Sequence, residues 1–147
     1  MSANEKPEPS FGFVVSDVAR LLRRNFNRRV QELGLTQAQW QSLFHISRDQ
    51  GMKQSTLADI LEVQPISVAR MIDRMEAAGW VERRPDPCDR RALNLYLTDK
   101  AEPILKKLKN HGANVRARAL SGLSEKEQQD MLQHLLLIRK NLIEEEK

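Results

Sequence analysis

Residues 55–79, STLADILEVQPISVARMIDRMEAAG, decide the fold. Leu57, Ile60 and Leu61 are core positions of a short helix that begins near Ser55. Glu62-Val63-Gln64 leaves room only for a tight connection. Pro65 then opens the next helix, the fourth of the chain, where its missing N–H does least harm. That helix runs to Ala78 and stops at Gly79, a residue suited to a left-handed helix end. At 100° per residue Val68, Ala69, Ile72 and Met75 share one side, while Ser67, Arg70 and Arg74 share the other. Two helices on a tight turn, the second with aligned arginines, follow the logic of a helix-turn-helix entering a major groove. There Arg bonds guanine O6 and N7 bidentately and Ser reaches a base edge or a phosphate. The competing reading is a solvated face on which Arg70 and Arg74 pair with Asp73 or Glu76.

Just downstream the periodicity changes from helix to strand. Trp80-Val81-Glu82-Arg83-Arg84 reads as one strand, and Leu93, Leu95 and Leu97 alternating with Asn94 and Tyr96 read as another. Between them Pro85-Asp86-Pro87-Cys88-Asp89-Arg90-Arg91-Ala92 forms a long charged turn, so the pair is a β-hairpin, or wing. Arginines at such a tip can enter a narrow minor groove, where the negative potential is enhanced. Asp89 is expected to pair with Arg91 and hold the turn while Arg90 reaches outward. Gln54, Ser55 and Thr56 start the third helix, where N–H groups and small hydroxyls suit a phosphate. The candidate DNA contacts are therefore Gln54, Ser55, Thr56, Pro65, Ser67, Val68, Arg70, Arg74, Asp89, Arg90 and Arg91.

On either side lie longer helices. The first is expected over Phe13–Leu33, with Val14, Val18, Leu21, Leu22, Phe26, Val30 and Leu33 at steps of three and four. Its other side carries Arg20, Arg23, Arg24, Arg28 and Arg29, which fit either a solvated face or contact with an anion. Thr36-Gln37-Ala38-Gln39 is a capping box that opens the second helix, with Trp40, Leu43 and Phe44 on its apolar face. Thr98 caps a fifth helix through about Leu120. Ser124-Glu125-Lys126-Glu127 is a second capping box and opens a sixth, whose stripe includes Met131, Leu132, Leu135, Leu136, Leu142 and Ile143. The expected class is mainly α with a small β-hairpin. Residues 1–12 form a flexible tail, 36–97 a winged helix-turn-helix, and 13–35 with 98–147 an all-helical dimerisation region. The apolar stripes of the outer helices exceed what a small winged domain covers, which itself points to a homodimer.

Composition narrows the function. The 147 residues carry 24 Lys plus Arg against 20 Asp plus Glu, a net +4, so the placement of charge matters more than its total. One cysteine, Cys88, excludes an internal disulfide and a multi-cysteine metal site, and suits a reducing compartment. No apolar run approaches the roughly 18 residues of a membrane span, and the polar, Pro-containing start lacks a signal core. A cytoplasmic protein with no membrane partner is expected. His45, His111 and His134 are scattered, and there is neither a phosphate-cradling glycine loop nor an activated nucleophile, so an enzyme is not expected.

These residues resemble the MarR family of winged helix-turn-helix transcription regulators, and its SlyA-like branch in particular. The resemblance rests on Leu35-Thr36-Gln37-Ala38-Gln39-Trp40, Ser67 through Glu76, Gly79-Trp80-Val81-Glu82-Arg83, Asp86-Pro87-Cys88-Asp89-Arg90-Arg91 and Leu95-Tyr96-Leu97-Thr98. It implies a homodimer in which the first, fifth and sixth helices interlock. It implies double-stranded DNA as partner, bound at a pseudo-palindromic operator with the fourth helices in successive major grooves and the wings beside them. It also implies a small-molecule or redox input. For a small aromatic acid, Arg20, Arg23, Trp40, Phe44 and His45 are the candidate residues; no metal or other cofactor is called for. Cys88 lies away from the position of reactive cysteines in peroxide-sensing relatives and reads as an incidental thiol. The reading from another class is a winged-helix module that binds protein, which leaves the aligned Arg70, Arg74 and Arg90 unexplained.

Overall fold

The computed structural model of the chain describes residues 7–147. Residues 1–6 of the expected tail lie outside the described residues. The elements are α1 (Phe11–Val30), a 3-10 turn (Gln31–Leu33), α2 (Gln37–Arg48), β1 (Met52–Lys53), α3 (Gln54–Leu61), α4 (Pro65–Ala77), β2 (Val81–Pro85), β3 (Leu93–Leu97), a second 3-10 turn (Asp99–Ala101), α5 (Glu102–Ala119) and α6 (Glu125–Glu145). The fold is mainly helical with a small antiparallel sheet. It divides into two units, one ending at Gly112 and the other beginning at Ala113.

Local chemistry sets the helix starts. Ser10 accepts a hydrogen bond from the Phe13 N–H, so α1 begins two residues before the apolar pattern indicates. Thr36 and Ser124 both form full capping boxes, with Gln39 and Glu127 respectively bonding back to the cap N–H. Thr98 departs from expectation. Its hydroxyl makes no helix cap but donates to the Gly79 carbonyl, closing the base of the wing.

The sheet has three strands in the order β1-β3-β2, not two. Met52 pairs with Leu95 and Lys53 with Asn94 on one side of β3, and Val81 through Pro85 pair with Leu97 through Leu93 on the other. Two residues are too few to show a period, which is why β1 leaves no trace in the sequence. Gly51 makes the turn into it at φ 91°. A Cβ there would meet the Tyr96 hydroxyl at 2.9 Å, so only glycine fits.

The core of the first unit joins these elements. Leu43 and Ile46 from α2, Leu57 from α3, Ile72 and Met75 from α4, Leu95 from β3 and Leu108 from α5 have no exposed surface. The outer helices differ. In α1 only Phe26 and Val30 are buried, while Val14, Val18, Leu21 and Leu22 stay exposed. In the second unit α6 buries no residue, and Leu132, Leu135, Leu136, Leu142 and Ile143 are all exposed.

Candidate nucleic-acid interface

Helix α4 sorts its residues by side. Val68, Met71, Ile72 and Met75 are at most 9% exposed, whereas Pro65, Ser67, Arg70 and Arg74 face outward. Val68 is thereby removed from the candidate contacts. At 1% exposure it is a core residue, placed by the same 100° wheel that groups it with Ile72 and Met75. Gln64 precedes the helix with extended backbone, and Glu62 turns the chain in the left-handed region at φ 55°, so α3 and α4 are linked by three residues.

The centre of this arrangement is Arg83 on β2, which the sequence reading did not single out. Its Nε donates to Gln54 Oε1 at 2.9 Å, Nη1 to Asp73 Oδ1 at 2.6 Å, and Nη2 to the Ala69 carbonyl at 2.8 Å. Glu76 lies 3.5 Å from the same Nη1 and accepts from the Arg83 backbone N–H. One side chain, only 15% exposed, thus ties the start of α3, the middle of α4 and the wing. A signal was present. Val81 and Arg83 are two apart on a strand and share a face, and Val81 is buried, so Arg83 had to point inward and find partners. This pairing also answers the competing reading of α4. Asp73 and Glu76 are occupied by Arg83, and among the described residues neither Arg70 nor Arg74 has an acidic partner.

The wing tip is organised by Asp86. Its Oδ1 accepts from the backbone N–H groups of Cys88 and Asp89 at 2.8 and 2.9 Å, a side-chain turn typical of aspartate. The Cys88 N–H above all, with the Asn94 amide, the Asp89 N–H and Lys53 behind it, holds the carboxyl below its ordinary pKa of 3.8, against a smaller opposing effect of burial. Asp89 does brace the tip, but not by pairing with the Arg91 guanidinium. It accepts from the Arg91 backbone N–H at 3.0 Å, and its nearest charge is Lys53 at 4.0 Å. Arg90 and Arg91 are exposed, as is the Cys88 thiol. On the strands, Arg84 stacks over the Tyr96 ring at 4.0 Å and bonds Glu82, so it braces the hairpin.

The structure brings the two halves of the candidate interface together. A cleft of about 150 Å³ is lined by Gln54, Ser55, Pro65, Arg91, Ala92 and Leu93, so the start of α3, the start of α4 and the wing meet in one concavity. Ser55 and Thr56 are exposed; Gln54 is half-buried with its carbonyl held by Arg83. Arginine, hydroxyl and helix-start N–H groups on one surface are the chemistry that grips phosphates and reads base edges.

The candidates for an acid ligand are not assembled in this way. Trp40 and Phe44 pack with Phe26 as an aromatic cluster, with ring centroids 4.5 Å (Phe26–Trp40) and 6.1 Å (both pairs with Phe44) apart. The Trp40 indole donates to Asn27 at 2.7 Å. Trp40 is buried and Phe44 half-buried in this cluster. Arg20 is bonded to Asp17 at 2.7 Å, and Arg23 is half-buried. Burial, and then Arg48, lower the His45 pKa from its ordinary 6.5. Among the described residues no group of three His, Cys, Asp or Glu side chains could hold a metal, and no helix is long and apolar enough to cross a membrane.

A helix-turn-helix whose second helix carries outward arginines, followed by a basic wing, defines a winged-helix DNA-binding protein. A sequence profile described as the MarR family matches residues 35–93. Transcriptional regulator PA3341 is 35% identical over 92% of this chain and 99% of its own, with a TM-score of 0.79. The apo form of wild-type MarR from E.coli is 28% identical over 90% and 96%, with a TM-score of 0.75. The transcriptional regulator SlyA is 27% identical over 93% and 96%, with a TM-score of 0.76. The chain belongs to the MarR family, whose members are transcriptional regulators and not enzymes.

Arg83→Ala leaves Gln54 Oε1, Asp73 and the Ala69 carbonyl without their partner, and should cost about 1–3 kcal/mol in urea unfolding together with weaker DNA binding. Arg83→Lys should not rescue it, because one ammonium cannot span the three acceptors. Asp86→Ala should loosen the tip and weaken DNA binding by roughly threefold to tenfold, the worth of about one hydrogen bond, with little change in melting temperature. Asp86→Asn keeps the Oδ1 acceptor and should restore binding. Because the folded-state pKa of Asp86 is depressed, its contribution is present above the unfolded value and is lost as pH falls through the folded one. The Cys88 and Asp89 amide resonances should therefore hold their positions through the usual carboxylate range and shift only below it.

Proposed function

We propose that the chain is a sequence-specific, homodimeric regulator that binds a pseudo-palindromic operator, with α4 in the major groove and the wing in the minor groove. The observation that carries this reading is the sorting of charge. Asp73, Glu76, Asp86 and Asp89 are turned to structural bonds, while Arg70, Arg74 and Arg90 project with no acidic partner among the described residues. Arg70 and Ser67, with Arg74, read bases. Arg90 enters the minor groove beside Arg91, on a tip held by Asp86 and Asp89. Gln54, Ser55, Thr56 and Pro65 line the phosphate backbone.

Dimerisation is supported by the outer helices. Apolar side chains along α1 and α6 that are 39–70% exposed in one chain match what a second copy would cover. The region proposed for this comprises residues 13–35 and 98–147, flanking the reading region 36–97. On its wing sequence we place the chain nearest the SlyA-like branch, acting in the cytoplasm. An aromatic-acid input would draw on Arg20, Arg23, Trp40, Phe44 and His45, with Trp40 and Phe44 packed against Phe26.

Arg70→Ala tests the assignment. It should cost about 1–3 kcal/mol at the specific site and relax the preference at one base pair. Wild-type binding should also weaken steeply with salt as phosphates release counterions. Unchanged affinity with a flat salt response would favour a protein-binding module instead.

A further inference from the structure

Ile66 is the second residue of α4 and is 61% exposed, more than any other large apolar side chain of α2 to α5. Single exposed apolar residues are ordinary on a protein surface. This one stands in a particular row. Residues 66, 70 and 74 follow one another at four-residue steps, so Ile66 lies in line with Arg70 and Arg74, away from the buried Val68, Met71, Ile72 and Met75. It also lies in the first turn of the helix, where a recognition helix meets base edges. It caps nothing and fills no core position, and a branched side chain is a poorer helix former than a polar straight one.

The apolar feature on the major-groove edge of a standard base pair is the 5-methyl group of thymine. We infer that Ile66 is a specificity-determining residue that selects thymine by packing on that methyl group. This rests on the proposed placement of α4 in the major groove. Four residues of helix rise about 6 Å, a little under two base steps of 3.4 Å. The thymine therefore lies within about two base pairs of the guanine bonded by Arg70. Having no polar atom, the Ile66 side chain adds sequence preference without adding a phosphate contact.

The test uses the full-length protein and the operator it selects from random duplex DNA. Each thymine is replaced in turn, in both half-sites, by deoxyuridine, which removes only the methyl. One symmetry-related position, within about two base pairs of the base pair at which Arg70→Ala loses its preference, should cost the wild type about fourfold per half-site, the worth of one buried methyl. Ile66→Ala should bind that substituted operator and the parent within about twofold of each other, with the wild-type slope of affinity against salt and an unchanged melting temperature. The inference is overturned if the wild type tolerates deoxyuridine everywhere, or if Ile66→Ala pays the same penalty; in both cases selective binding stands and the placement of α4 survives. Failure of the wild type to select any sequence overturns both.

Discussion

The arrangement depends on one guanidinium. Arg83 points inward from a surface strand, and a charge taken from water must be met by hydrogen bonds. Two elements meet it: α3 through Gln54 at its start, and α4 through Asp73 and the Ala69 carbonyl, with Glu76 alongside. None of these can move far from β2 without stranding a polar group, so the reading helix and the wing keep a fixed relation. The same contacts settle the electrostatics of the outer face. Each carboxylate that Arg83 occupies is one that does not neutralise Arg70 or Arg74, and a net charge of only +4 becomes a locally basic surface.

The wing repeats this division of labour. Asp86 and Asp89 would repel phosphate if their oxygens faced it, but they are engaged with backbone N–H groups of the tip. What projects is Arg90 and Arg91. Acidic residues shape the loop and basic residues are presented by it, so order at the tip and affinity for an anion are coupled through the same few hydrogen bonds.

Much of this was legible from the residues. Thr36 and Ser124 announce their helices with capping boxes, Pro65 marks the start of α4, and the Leu93-Leu95-Leu97 alternation marks β3. What escaped was of two kinds. Some features are too short to have a pattern, as with the two residues of β1. Others depend on a partner distant in sequence: Arg83 on Gln54, twenty-nine positions away, Thr98 on Gly79, and Asp89 on Lys53. Trp40 and Phe44 show a further limit. Their types suit a ligand and a core equally, and their packing with Phe26 is visible only in the structure. Ile66 belongs to neither group of the wheel as read from the sequence, and its exposure in line with Arg70 and Arg74 is seen only in the structure.

The central claim is that a helix and a wing, locked together in each of two copies, grip neighbouring grooves of one duplex. Hydroxyl-radical footprinting on the selected operator tests it most directly. The account predicts two equivalent half-sites centred about one helical turn, roughly 34–36 Å, apart. Each should show protected sugars of the backbone beside α4, flanked by a minor-groove patch that disappears in Arg90→Ala. A single protected half-site, or a flanking patch indifferent to Arg90, would contradict it.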